Sequence, residues 1–203
     1  WAAPDAGGRD VMITPTEITS PRKTGENCLP GDPDAKRLVE RMIRVDHAGE
    51  YGAVRIYEGQ IAVLGRAVAG GAIAHMADQE RDHLAAFEKL LRERRVRPTA
   101  LAPLWHAGGF ALGAATAALG PRTAMACTAA VEEVIDDHYA GQIEKLGEDE
   151  ADLRASMESC RADEAAHRDT AYEHGAREAP GYGVLTVAIK AGTRLAIWLS
   201  ERV

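Results

Sequence analysis

The sequence predicts an all-α protein: a four-helix bundle with a long link between its second and third helices and an extra amphipathic helix at the C-terminus. Three observations lead there. The chain is 46% hydrophobic but only 5% aromatic and is rich in alanine and leucine, which suits helix-on-helix packing around one core. Apolar residues recur at helical spacing in four segments divided by glycine and proline. One acidic pattern also occurs twice, a lone glutamate followed some thirty residues later by Glu-x-x-His: Glu50 with Glu80 and His83, then Glu132 with Glu164 and His167.

Residues 1–35 hold five of the nine prolines, several glycines and no apolar stretch of signal-peptide length, and are expected to form a disordered leader ahead of one helical domain, residues 36–203. Asp5, Asp10, Glu17 and Glu26 argue against a mitochondrial transit peptide, which is poor in acids. After Asp32-Pro33-Asp34, a capping acid with an early proline, a first helix runs to Leu64 and places Ile43, Glu50, Val54, Tyr57 and Ile61 on one stripe. A second follows Gly70-Gly71, carries Ile73, Met76, Glu80, His83, Phe87 and Leu90 inward, and stops at Arg94-Arg95-Val96-Arg97-Pro98. A third starts at Gly120-Pro121 with Met125, Thr128, Glu132, Ile135 and Tyr139 on one face, a phase that selects Glu132 over Glu133. The chain turns around residue 148, and a fourth helix presents Leu153, Met157, Cys160, Glu164, His167, Ala171 and His174 before Gly175. The long link between His83 and Glu132 suits a crossover that returns along the bundle, the plan of ferritin-like folds.

Residues three apart share a helix face, so each Glu-x-x-His aims a carboxylate and an imidazole at one point. Glu50, Glu80, His83, Glu132, Glu164 and His167 make a six-ligand set whose four negative charges two divalent cations cancel; uncompensated, the buried carboxylates would cost several kcal/mol each. Solvated faces would put the glutamates opposite the apolar residues, and they are in phase with them instead. Carboxylate-rich donors with few imidazoles and no thiolate favour iron or manganese over zinc or copper, and a dinuclear site of this type points to iron with dioxygen as its partner. Tyr57 and Tyr139, each seven residues after a ligand glutamate, line a substrate pocket, hydrogen-bond a ligand, or are core tyrosines. Asp163 is placed to orient a ligand histidine of a neighbouring helix, and Asp46 and Asp136 lie one turn from Glu50 and Glu132. His47, His138 and His174 are not needed as ligands.

The formal charge of -7 disfavours a nucleic-acid partner. Cys28, Cys127 and Cys160 are odd in number, widely spaced and without a Cys-x-x-Cys, which indicates a reducing compartment and neither a disulfide framework nor a rubredoxin-type or zinc centre. Two segments, 99–121 and 182–203, are expected to associate with a membrane. The first lacks charge, but Pro103, Gly108-Gly109 and Gly113 argue against a spanning helix. The second carries Val184, Val187, Ala191, Leu195 and Trp198 on one face with Lys190, Arg194 and Glu201 opposite, which suits a helix lying in a bilayer surface or packing on the bundle or a second subunit.

From about Leu38 to Val203 the chain resembles the 5-demethoxyubiquinone hydroxylase family, the di-iron monooxygenases of late ubiquinone biosynthesis. The resemblance rests on Arg44-Val45-Asp46-His47-Ala48-Gly49-Glu50-Tyr51-Gly52-Ala53, Arg95-Val96-Arg97-Pro98-Thr99, Pro103-Leu104-Trp105, Met125-Ala126-Cys127-Thr128, Val131-Glu132-Glu133 and Leu199-Ser200-Glu201-Arg202. It implies that Glu50, Glu80 and His83 bind one iron and Glu132, Glu164 and His167 the other, with Glu80 and Glu164 bridging. It further implies O2-dependent hydroxylation of a polyprenyl methoxy-methyl-benzoquinol ring, with NADH as reductant. No Gly-x-Gly-x-x-Gly follows a strand, so electrons arrive from NADH directly, through the bound quinone, or from a partner. Accessory proteins of ubiquinone synthesis and a second copy of the chain are further partners the resemblance admits. The fourth-helix string Asp163-Glu164-Ala165-Ala166-His167 is less acidic than is common in the family.

Two rivals remain at this level: a ferritin-like iron oxidase or storage subunit using the same six ligands, and a non-enzymatic membrane-bound helical bundle without tightly bound metal. The acidic leader points to the cytoplasmic face of a bacterial inner membrane, with the matrix face of the mitochondrial inner membrane as the alternative.

Overall fold

The computed structural model describes residues 34–203, so the leader expected over residues 1–35 lies almost entirely outside the described residues. Among the described residues there are six α-helices and no strand. Helix α1 spans Ala35–Leu64, α2 Ala72–Arg94, α3 Ala102–Ala118, α4 Pro121–Ile143, α5 Ala151–Glu173 and α6 Tyr182–Ser200. The chain is all-α, a ferritin-like bundle of α1, α2, α4 and α5.

Local chemistry sets the ends. The Asp34 side chain accepts from the Arg37 N–H at 2.7 Å and caps α1. Helix α2 stops where Arg95 takes a left-handed conformation, φ 55°, allowing the Val96 N–H to reach back to the Leu91 carbonyl at 2.9 Å while the Val96 side chain is buried. Pro121 opens α4, where its missing N–H costs nothing. The turn between α4 and α5 is held by Arg154, whose guanidinium donates to the carbonyls of Ile143 and Leu146 at 2.9 and 2.8 Å and so satisfies the open end of α4.

The pairings fix the directions of the helices. Glu50 lies 3.5 Å from His83 while Tyr57, two turns later, meets Met76, two turns earlier, so α1 and α2 are antiparallel. Helix α3 runs beside α1 in the same sense, with Tyr51 against His106, Gly52 against Gly109 and Ile56 against Gly113. These helices touch at backbone distance: a Cβ at Gly59 would collide with the Phe110 carbonyl, and one at Gly113 with that of Ile56. Helix α4 opposes α1, since Gln60 donates to the Ala124 carbonyl at 3.1 Å while Tyr139 bonds Glu50.

Helix α6 packs on α4 through Thr186 and Ile189 and through an ion pair between Lys190 and Glu133. Lys190, expected on the polar face opposite Trp198, is engaged within the fold, as the packing alternative requires. Val184, Val187, Leu195 and Trp198 remain exposed on α6, as do Leu104, Phe110 and Leu119 at α3 and its end. Among the described residues α6 is the one helix long and apolar enough, by length and composition, to cross a bilayer. His174 is exposed rather than inward, because α5 ends at Glu173 and the imidazole turns back to the Thr170 carbonyl at 2.9 Å.

Candidate metal centre

The stripe of α1 that buries Ile43 and Tyr57 also carries Glu50, only 2% exposed. The same periodicity brings Glu80 and His83 inward from α2, Glu132 from α4, and Glu164 and His167 from α5, all buried. The six converge. Ligand-type atoms of Glu50, Glu80, His83 and Glu164 lie within 4.8 Å of one another, and so do those of Glu80, Glu132, Glu164 and His167. Glu80 and Glu164 belong to both groups.

Nδ1 of His83 is 3.5 Å from Glu50 Oε2 and from Glu164 Oε1, and 3.9 Å from Glu80 Oε2. On the other side, Nδ1 of His167 is 3.0 Å from Glu80 Oε1 and 3.5 Å from Glu164 Oε2. Each imidazole turns its other nitrogen outward. His83 Nε2 faces Asp163 Oδ2 at 3.1 Å, and His167 Nε2 faces Gln79 Oε1 at 3.2 Å. An Nε2–H donating to each acceptor leaves Nδ1 bare and pointing at the carboxylates, which is how histidine presents a lone pair to a metal.

Eight buried atoms of the six residues have no hydrogen-bond partner: Glu50 Oε2, both oxygens of Glu80 and of Glu164, Glu132 Oε2, and Nδ1 of His83 and of His167. Buried polar atoms are almost always paired, and eight unpaired acceptors around one point fit a pair of hard divalent cations. Electrostatics agree. Burial, then the carboxylates of Glu164 and Glu50, pushes Glu80 well above the carboxylate range. Burial and then Glu164 do the same to Glu132. Burial also works against charge on His83, but the close carboxylates of Glu164 and Glu50 outweigh it and carry the imidazole up to about 11. Such a cluster holds protons that metal ions would displace.

The tyrosines close the site. Tyr57 donates to Glu132 Oε1 at 2.7 Å, and Tyr139 donates to Glu50 Oε1. Asp163 is at the centre through His83. Asp46 is not: it is buried against His138, 3.3 Å away, and burial lifts its carboxyl to about 6 against the pull of that imidazole. Asp136 faces outward to Arg161 and Arg168 at 2.6 and 3.3 Å and touches none of the six. Glu133, set aside on helical phase, points away to Tyr172 and Lys190. Gln79 was not anticipated. Its position was readable, because it precedes Glu80 as Asp163 precedes Glu164.

An apolar cavity of about 210 Å³ lies among α1, α3, α4 and α6. Gly49 and Ala53, which flank Glu50, and Val131 and Ile135, which flank Glu132, line it, together with Trp105 and Ser200. The Trp105 indole N–H donates to the Ser200 hydroxyl at 3.0 Å and joins α3 to α6 at its edge.

Comparison with known proteins places these residues in a lineage. Residues 37–200 match the family described as "Ubiquinone biosynthesis protein COQ7". The chain is 58% identical over 185 residues, covering 91% of it and 87% of its counterpart, to the 3-demethoxyubiquinol 3-hydroxylase of Rhodospirillum rubrum. It is 53% identical over 172 residues, 83% of it and 79% of the relative, to the human mitochondrial protein named NADPH-dependent 3-demethoxyubiquinone 3-hydroxylase. To the mitochondrial 5-demethoxyubiquinone hydroxylase of Saccharomyces cerevisiae it is 43% identical over 183 residues, 82% of it and 78% of the relative. The chain belongs to the COQ7 family of ubiquinone-biosynthesis proteins.

Proposed function

We propose that this chain is an O2-dependent di-iron hydroxylase that oxygenates the ring of a polyprenyl methoxy-methyl-benzoquinol in ubiquinone biosynthesis. One observation supports the metal assignment above all: two carboxylate-imidazole groups that share Glu80 and Glu164, with eight buried donor atoms lacking any other partner. Glu50 and His83 would hold one iron, Glu132 and His167 the other, with Glu80 and Glu164 bridging. When bound, the iron pair supplies the two-electron oxygen activation that the amino-acid side chains lack.

The chain's own residues do the rest. Tyr57 and Tyr139 hold the terminal carboxylates in orientation, Asp163 and Gln79 fix the imidazole tautomers, and the surrounding core excludes bulk water. The cavity beside Glu50 and Glu132 suits an uncharged aromatic ring. The exposed apolar faces of α3 and α6 suit a bilayer surface in which the polyprenyl tail remains dissolved. A relative named as NADPH-dependent supports a nicotinamide as the ultimate electron source, and relatives occur in bacteria and in mitochondria; the cytoplasmic face of a bacterial inner membrane is the setting proposed here.

The test is complementation of cells lacking the ubiquinone-ring hydroxylase, with quinones followed by mass spectrometry. Conversion of the demethoxy precursor, lost with iron in His83→Ala and His167→Ala, supports the assignment. Persistence of the precursor with an iron-loaded, folded protein would instead favour an iron oxidase or storage role, and full activity of the iron-free protein would end the di-iron mechanism.

A further inference from the structure

We infer that Glu50, His83 and Cys160 form a thiolate-containing corner that takes a thiophilic divalent ion such as zinc or cobalt(II), sharing Glu50 and His83 with the proposed iron site. One ligand-type atom from each of the three lies within 4.8 Å of the other two. All three side chains are buried, Cys160 at 4% exposure, and Glu50 Oε2 and His83 Nδ1 reach this corner without hydrogen-bond partners. Cys160 stands one helical turn before Glu164 on the inward stripe of α5, so its thiol is aimed by the same register as the ligands.

A tetrahedral ion with bonds of about 2.0–2.3 Å holds its donors about 3.3–3.8 Å apart; His83 Nδ1 and Glu50 Oε2 are already 3.5 Å apart, and the thiol lies within 4.8 Å of its partners. Among the described residues the other half of the centre has no such donor. One turn before Glu80 stands Met76, whose thioether accepts from the Tyr57 hydroxyl at 3.8 Å. The two halves are alike in carboxylates and imidazoles and differ in one sulfur: a neutral thioether on the His167 side, an ionisable thiol on the His83 side. Thiolate donors favour zinc over the harder ions that carboxylates prefer. Binding breaks the Cys160 S–H bond, forms a sulfur-metal bond and releases one proton to solvent.

Cobalt(II) is the probe, added anaerobically to the full chain after chelator treatment. A near-ultraviolet thiolate-to-cobalt band that saturates at a single equivalent is expected. It should vanish in Cys160→Ala and Cys160→Ser and persist in Cys127→Ala, which alters the other buried thiol. Circular dichroism and iron content should match the parent in all three, and the parent should retain zinc against iron at least ten-fold better than Cys160→Ala. A parent protein that binds cobalt without the band, or a band that survives in Cys160→Ala, overturns the corner while leaving the carboxylate-histidine centre intact. Failure to bind cobalt and iron alike would overturn both.

Discussion

The hydroxyl of Tyr57 on α1 donates to Glu132 on α4 at 2.7 Å, while Tyr139 on α4 returns the contact to Glu50 on α1. Each tyrosine follows one terminal glutamate by seven residues and braces the other. A hydrogen bond to a charged group contributes about 1.5–3 kcal/mol, so Tyr57→Phe or Tyr139→Phe should weaken iron retention about ten-fold or more, with the fold kept. Iron release under chelator challenge measures this. Unchanged release rates would reduce both residues to core packing.

Asp163 and Gln79 accept from the outer nitrogens of His83 and His167. Asp163→Ala and Gln79→Ala should each lower iron affinity by about 10–100-fold, the carboxylate loss being the larger because it also removes charge compensation. Asp163→Asn should restore part of the affinity by keeping an acceptor. Isothermal titration of the metal-free variants distinguishes these outcomes.

The pH dependence has a definite sign. Glu80 and Glu132 are raised well above their ordinary range by burial and by their neighbours, and His83 is raised to about 11. For a carboxylate raised in the folded state, ionisation opposes folding, so stability falls as pH climbs above the unfolded value near 4.5; a raised histidine likewise stabilises below about 6.5 and loses that contribution as pH rises towards 11. Metal-free protein should therefore lose thermal stability between about pH 5 and pH 8, and iron-loaded protein should not. Because iron displaces protons, apparent affinity should rise over the same interval, with proton release detectable in weak buffer.

Gly113 lets α3 lie against the Ile56 carbonyl of α1. Gly113→Ala should destabilise the protein by about 1–3 kcal/mol, since the added carbon has only backbone to displace. Denaturant unfolding reads the loss. Gly108→Ala, a position with no atom within contact range, is the control and should cost far less.

Most of this organisation was readable in advance because one period serves two purposes. The spacing that buries Ile43, Tyr57, Met125 and Tyr139 also points Glu50 and Glu132 inward, so core and site were a single pattern. The same phase turned Glu133 outward, where the structure places it. Contacts between distant elements were less legible. Nothing local in the sequence says that Tyr57 braces the glutamate of the other hairpin or that Lys190 of α6 pairs with Glu133. Asp46 and Asp136 show the limit of spacing alone: one turn from a ligand, the first is turned to His138 and the second to arginines on α5.

Glu132 and Glu133 are neighbours in the chain with opposite duties, one facing the proposed metal centre and the other gripping Lys190 of α6. A single peptide bond joins the two side chains' anchor points, in a stretch of α4 that is buried nearly throughout. Helix α6 is thus tethered one residue along the chain from a proposed ligand, so its uncovered outer face and the proposed centre hang on the same short stretch of α4.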